Sequence, residues 1–401
     1  MKMKFSKILL LLFILTLTVF VINIKALQRL HRVIHFFDED VIVENFQNTE
    51  KYFPVSELIK SSSPLRLAKV DNIALPDSFV YKMEFNYLNL QDFLKNTNTE
   101  GFMIIHNDTI KYENYWLGLE ADETHVSWSM SKSLISTLIG VMVDRGFIDL
   151  KHKVEFYCPE FVGSGYEGVS IKQLLNMSSG VKFTEDYGDF NSDINRFGRA
   201  FALGSSFLEF SKSLNSERIP GTYNKYVSID TQVLGFVLSQ VSGKSITALT
   251  QEYIWEPVGM EYGGSWIIDN EGFEMVLGGL NATLRDFSKL GLLFLHEGAL
   301  KENRIVSSKW VADATTPDAP HLMPDQVTLS NNPYGYAYQW WLPQFPKNDF
   351  FAVGIYDQFV YVNKEKQLII AKLSADYRFK TNGKEIKDQH IYMLQQIAEA
   401  F

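Results

Sequence analysis

Apolar and polar positions change period several times along the chain, and each change marks an element. Residues 8–24 carry no charge at all. From Pro76 onward the pattern is that of a folded domain. Gly101–Trp116 reads as a β-hairpin: an apolar strand, an Asn107-Asp108 turn, then Ile110, Tyr112, Asn114 and Trp116 alternating with polar partners. A buried-type helix opens near Ser129 and stops at Arg145-Gly146, a basic residue followed by a capping glycine. Ile171–Met177 predicts a short amphipathic helix, Thr231–Val241 a longer one ending at Gly243, and Leu284–Leu295 a third ending at Glu297-Gly298. A polar loop, Thr184–Arg196, separates the first two. Strand character returns at Tyr334–Trp341, Phe350–Val353, Gln358–Val362 and Leu368–Leu373, and Lys387–Ala400 predicts a terminal helix. The pattern gives an α+β fold: an antiparallel sheet built from both ends of the chain, flanked by helices, with a mainly helical insert between.

Composition narrows the classes. With 401 residues, 46% hydrophobic and 21% charged, the chain is long enough for a large core and is not disordered. A formal charge of -9 without long basic runs argues against nucleic acid as a partner. A single cysteine, Cys158, excludes an internal disulfide and a multi-cysteine metal site. Lys2, Lys4 and Lys7 precede the uncharged run Ile8–Ile24. Its length and its lack of a small-residue cleavage site fit an uncleaved, single-pass anchor better than a cleaved signal, with the N-terminus cytoplasmic. Either alternative puts the folded part outside the cytoplasm, periplasmic or secreted. The expected organisation is a membrane segment at 1–25, a membrane-proximal spacer at 26–75 and one domain at 76–401.

Candidate chemistry centres on Ser129-Met130-Ser131-Lys132. Residues three apart on a helix share a face, so hydroxyl and amine stand side by side. The positive helix end favours an alkoxide, and a lysine stripped of water is available as the neutral amine that accepts a proton. A second candidate is Pro220-Gly221-Thr222…Tyr226-Val227-Ser228, just ahead of the Thr231 helix, where a phenol and a hydroxyl can face one cleft. His125 lies close to Ser127 but no paired acid is evident, and no His/Asp/Glu spacing suits a metal. Neither a cofactor nor a metal is expected. Arg285-Asp286 reads as an ion pair and Trp340-Trp341 as a core wall.

Taken together, Ser-x-x-Lys at a helix start, Pro-Gly-Thr and Tyr-x-Ser about a hundred residues later, Leu174-Leu175-Asn176-Met177-Ser178-Ser179-Gly180, Glu256-Pro257-Val258-Gly259-Met260, Asn281-Ala282-Thr283-Leu284-Arg285-Asp286, Tyr334-Gly335-Tyr336 and Trp340-Trp341 resemble the serine β-lactamase and penicillin-recognising superfamily. The class C-like branch, and within it the 6-aminohexanoate-dimer hydrolase subgroup, is the nearest in pattern, over roughly residues 76–401. The resemblance implies a β-lactamase-like fold with a catalytic cleft between sheet and insert. By position, it implies that Ser129 is the acyl-forming nucleophile, Lys132 its base, Tyr226 the proton relay, and Ser228 a group holding Lys132 and substrate. The third element of the family falls at Ala352-Val353-Gly354-Ile355. There Gly354 admits substrate against the strand, and the Ile355 and Ser129 backbone N–H groups form the oxyanion hole. Tyr187 matches a substrate-contacting loop tyrosine, and Asp193 is a candidate for a substrate amine, or equally a turn cap.

Ala352 stands where β-lactamases keep a cation. Losing that charge-assisted contact costs about 1.5–3 kcal/mol, roughly ten- to a hundredfold, which directs the expectation toward a small ester or amide, peptide-like or otherwise. The rivals are a D-Ala-D-Ala carboxypeptidase or β-lactamase, and a catalytically idle binding protein on the same fold. Oligomeric state is not legible.

Overall fold

The computed structural model describes residues 2–82 and 85–401, apart from the side chains of residues 2–6, 16, 19–23 and 25. An eight-stranded sheet forms its centre. In spatial order the strands are Gly335–Ala337, Trp340–Leu342, Asp349–Gly354, Gln358–Asn363, Leu368–Ser374, Thr99–His106, Thr109–Tyr115 and Ala68–Lys69. Neighbours are antiparallel, except that Ala68–Lys69 runs parallel to Thr109–Tyr115. The sheet is therefore made from both ends of the chain, as the pattern predicts. The hairpin turn at Asn107-Asp108 has both residues at positive φ, 48° and 56°, which these short polar side chains tolerate.

Helix Leu284–Leu295 covers one face of the sheet, its apolar side on the Gln358–Asn363 and Leu368–Ser374 strands. Helix Phe379–Glu399 covers the other, placing Ile391, Leu394 and Ile397 against Phe359, Tyr361 and Ile370. That helix begins eight residues before the pattern predicts. Thr381-Asn382-Gly383 are weak helix formers that packing carries into the helical state. Tyr334–Trp341 is two short strands rather than one, because Tyr338 and Gln339 turn at φ 35° and 69°.

The helical lobe is packed around Ser131–Asp144, whose residues Ser131–Met142 are all buried, and Ser228–Ser242, which lies against it. The buried stretch includes the polar Ser131, Lys132, Ser133, Ser136 and Thr137. A second sheet, ordered Val55–Leu58, Gly264–Ile267, Leu280–Ala282 and His125–Val126, ties the lobe to the N-terminal region.

Residues 26–75, expected to form a spacer, are built into this fold. Val55–Leu58 pairs antiparallel with Gly264–Ile267, and Phe36, Ile42 and Phe46 are buried in an aromatic cluster that includes Trp128 and Tyr356. The spacing of Phe36, Phe37, Phe46 and Phe53 carries no regular period, so the sequence pattern gives no sign of it. Helix Lys2–His35 ends against helix Asp193–Leu203. Within it, Ile8–Leu15, Leu17, Ile24 and Leu27 are exposed. Part of the uncharged run lies outside the described side chains. Among the described residues, no helix is long and apolar enough to cross a membrane.

Candidate active site

The turn carrying Ser129 is gripped from three sides. Strand His125–Val126 pairs with Leu280–Ala282, and the Ser127 N–H donates to the Leu280 carbonyl at 2.8 Å. Trp128 follows at φ 43°, an uncommon conformation for a bulky residue, which costs on the order of 1–3 kcal/mol and persists only where neighbours impose it. The Ser131 hydroxyl bonds the carbonyls of Trp128 and Val276, both at 3.0 Å. On the sheet side, a Cβ on Gly354 would lie 2.3 Å from the Ser127 carbonyl oxygen. The glycine is thus required by the approach of the strand to the nucleophile turn. The expectation was that it makes room for substrate; the close approach of Ser127 is a further reason for a glycine there.

From this turn the chain enters the buried helix, and the three-residue spacing does what helical geometry demands. Lys132 Nζ lies 3.0 Å from Ser129 Oγ. It also donates to the Leu277 carbonyl and sits 5.4 Å from the Tyr226 ring centroid. Only 1% of Lys132 is exposed, and burial pushes its amine down to about 7, with the nearby Glu185 and Asp230 carboxyls pulling the other way. The amine is therefore largely neutral just above neutrality. Ser228 was expected to hold Lys132. In the structure the Leu277 carbonyl does so, while the Ser228 N–H donates to Glu185 Oε1.

Tyr226 is positioned by the Leu174–Gly180 segment. Lys225 N–H donates to the Met177 carbonyl at 2.9 Å, the Asn224 side chain to the Asn176 carbonyl at 2.9 Å, and Gly221 N–H to the Ser178 carbonyl at 2.8 Å. The ring stacks on Trp341 at 5.3 Å and 28°, so Trp341 backs a site residue as well as walling the core. Burial raises the phenol well above its ordinary range, Glu185 adds to this, and a hydrogen bond with Ser129 acts against it. Ser129, Lys132 and Tyr226 thus converge on one point.

Glu185 is the residue that spacing did not reveal. Its carboxylate accepts from the Ser228 N–H and from the Tyr187 hydroxyl at 3.0 Å, and burial raises it while Lys132 and these donors lower it. A lone Glu in a polar loop has no periodic signature. The only available signal is its place in Thr184-Glu185-Asp186-Tyr187. Tyr187 lines a cavity together with Ser129 and Ile355. Asp193 does not. Its carboxylate accepts from the Thr184 N–H at 2.9 Å and pairs with Arg196 at 2.5 Å, fixing the loop to the next helix. Nor is Asp193 the cap: Ser192 caps that helix by accepting from the Asn195 N–H, and the substrate role is withdrawn. Ala352 is buried in the aliphatic core beside the nucleophile helix and presents no charge.

Other readings change too. His125 does have an acid, Glu100, at 3.1 Å, but the pair is buried under Phe46 and His125 bonds the Val126 carbonyl rather than the nucleophile. Arg285 and Asp286 do not pair with each other. Arg285 clasps Glu113 at 2.6 and 2.9 Å, and Asp286 pairs with Lys289 at 3.0 Å. Among the described residues, no group of His, Cys, Asp and Glu is arranged to hold a metal ion.

A half-buried hydroxyl, a buried amine and a phenol are thus brought together in one cleft, an arrangement suited to nucleophilic chemistry. Comparison with known proteins gives the class. Residues 90–390 match the Beta-lactamase family model, and the chain belongs to that family. It is 29% identical over 294 residues to 6-aminohexanoate-dimer hydrolase of Paenarthrobacter ureafaciens, covering 71% of this chain and 75% of that protein. A solved Bacillus anthracis structure carrying the 6-aminohexanoate-dimer hydrolase name superimposes with a TM-score of 0.81 at 20% identity, covering 91% of this chain and 95% of that one. A family VIII carboxylesterase shares the fold at TM-score 0.55 and 18% identity, over 71% and 90% of the two chains. The protein is a β-lactamase-related serine hydrolase.

Proposed function

We propose that the protein cleaves a small ester or amide through an acyl-enzyme on Ser129. Lys132 takes the Ser129 proton as its oxygen attacks the carbonyl carbon. The Ser129 and Ile355 backbone N–H groups receive the oxyanion. Tyr226 passes the proton to the departing alkoxide or amine, and the C–O or C–N bond breaks. Water then attacks the acyl-serine by the reverse relay, releasing the acid and restoring the hydroxyl. The observation that carries this reading is the 3.0 Å contact between Ser129 Oγ and a buried Lys132 amine held near pKa 7. Two further facts support it: the ring stack that fixes Tyr226 and the shared cavity of Ser129 and Ile355.

The absence of a cation at Ala352 favours an ester or amide over a β-lactam or D-Ala-D-Ala peptide. Export is part of the same proposal, supported by the lysines ahead of the uncharged run; fractionation of cells expressing the full chain tests it. For the catalytic reading, the test is p-nitrophenyl acetate hydrolysis by Ser129→Ala and Lys132→Met. Both are expected to lose at least about a thousandfold in kcat/KM. Retained turnover in Ser129→Ala refutes the acyl-serine.

A further inference from the structure

Ser129 and Ile355 line a cavity of about 310 Å³. One wall is the end of helix Lys2–His35 and the residues just after it, with Val33, Ile34 and Phe37. The facing wall is helix Asp193–Leu203, with Ile194, Phe197 and Phe201. Few polar groups line it; the Asn195 and Arg199 side chains are hydrogen-bonded, while the buried Trp128 Nε1 has no partner. The Asn195 amide donates to the carbonyls of Tyr187 and Asp189 at 3.2 and 2.8 Å. The Arg199 guanidinium bonds the Phe190 carbonyl at 2.6 Å and lies 3.8 Å over the Phe190 ring. Lys380 Nζ sits 5.3 Å over the Phe37 ring. At the mouth, Ile34 and Phe190 are 45% and 62% exposed. A cavity lined mainly by apolar side chains favours an apolar occupant.

Which half of the substrate enters follows from the lining. Ser129, Ile355 and Tyr356 border the cavity, whereas Lys132 and Tyr226 do not. In the acyl-serine reading Tyr226 serves the departing group, so a cavity that reaches Ser129 without bordering Tyr226 is assigned to the acyl group.

We propose that this cavity is an acyl-chain pocket, and that the preferred substrates are esters of medium- to long-chain, uncharged aliphatic acids rather than short or ionic acyl groups. The inference rests on the acyl-serine reading, and it makes the N-terminal segment a functional wall of the site. The chain carbons leave water for Phe37, Phe197, Phe201 and Ile194, while the scissile carbonyl stays at Ser129. The bond changes are those already described: the ester C–O bond breaks, acyl-Ser129 forms, and water releases the fatty acid.

The test is a series of p-nitrophenyl esters (acetate, butyrate, octanoate, palmitate) hydrolysed by the full chain, with a fluorophosphonate titrating active Ser129 in the same samples. From acetate to octanoate, kcat/KM is expected to rise about a hundredfold, since each buried methylene contributes. A flat or falling series in protein whose Ser129 is labelled overturns the pocket and leaves the acyl-serine standing. Absence of Ser129 labelling overturns the catalytic reading instead.

Two further measurements bear on the pocket, and the first needs no turnover. Displacement of a fluorescent fatty acid from the Ser129→Ala protein by decanoate is expected, and its failure counts against the pocket. Gly198→Phe is the second. A Cβ at Gly198 meets only Val33 Cγ1, at 3.9 Å, so a larger side chain there enters the cavity rather than the core. The preference is expected to move from octanoate to butyrate. An unchanged profile in the folded variant also counts against the pocket.

Discussion

Replacing Glu185 by Gln removes a charge beside Lys132 while leaving the hydrogen-bonding pattern serviceable. The Gln oxygen can still accept from the Ser228 N–H, and its amide can donate to the Tyr187 hydroxyl, which rotates to accept. Lys132 is held near 7 by burial, against the upward pull of Glu185 and Asp230. Removing one of the two pulls lets burial drive the amine lower. A carboxylate in contact range shifts a neighbour by about 1–3 units, and the partial opening of Glu185 toward the cleft argues for the low end, about one unit or 1.4 kcal/mol. The base must be neutral to act, so kcat/KM rises with pH through the Lys132 pKa and falls below it. In the native protein the acidic limb is expected near pH 7, and in Glu185→Gln near pH 6. Relative to each plateau, activity at pH 6 should be about fivefold higher in the variant. The assay is kcat/KM for p-nitrophenyl butyrate from pH 5 to 9. Tyr187→Phe, which removes a hydrogen bond but no charge, is the control and should leave the limb near 7. A Glu185→Gln limb that stays in place or moves upward would refute the coupling.

Tyr226→Phe keeps the stack on Trp341 but removes the proton relay. It should lower kcat about 10²–10⁴-fold with little change in melting temperature, and an equal loss of stability would point to a packing role. Gly354→Ala places a methyl 2.3 Å from the Ser127 carbonyl. About 1–3 kcal/mol of stability should be lost in urea unfolding, together with activity, because the nucleophile turn must shift. Glu113 bears on acid stability. Burial alone would raise its carboxyl, but Arg285, Lys69 and Tyr115 outweigh this and hold it near 2, below its ordinary 4.5. Its contribution is therefore present above about pH 4.5 and fades as pH falls toward 2. Unfolding free energies between pH 3 and 6 should slope upward with pH, and Glu113→Gln should flatten part of that slope.

Much of the site was legible because its chemistry is local. Ser129 and Lys132 are one helical turn apart, so spacing alone placed the amine beside the hydroxyl. Tyr226 was reached through ordered phrases around it, and Met177, Asn176 and Ser178 in one of those phrases do hold its loop. What escaped depends on residues distant in sequence. The Leu277 carbonyl that holds Lys132 is a backbone group, 145 residues away, with no side-chain identity to read. Glu185 acquires its role only when its loop folds over Lys132. Asp193 looked like a substrate ligand because a carboxylate in a polar loop gives no sign of its partners, here Thr184 and Arg196.

The fold divides along similar lines. Strands and helices with clean periods appear where expected. The N-terminal residues that complete the aromatic cluster and the cavity wall have no period, and their burial is decided by Trp128 and Tyr356 across the molecule. The strained Trp128 links the two halves. It precedes the nucleophile and packs against Phe37 at 5.4 Å, so the residues that shape the cavity also brace the catalytic turn.

The most direct measurement of the central claim is intact-mass and peptide-level mass spectrometry of the full chain after brief exposure to a fluorophosphonate. The account predicts one adduct per chain, mapped to Ser129, forming more slowly below pH 7 and abolished in Lys132→Met. An adduct on another residue, or labelling of Ser129 that is indifferent to pH and to Lys132, would contradict it.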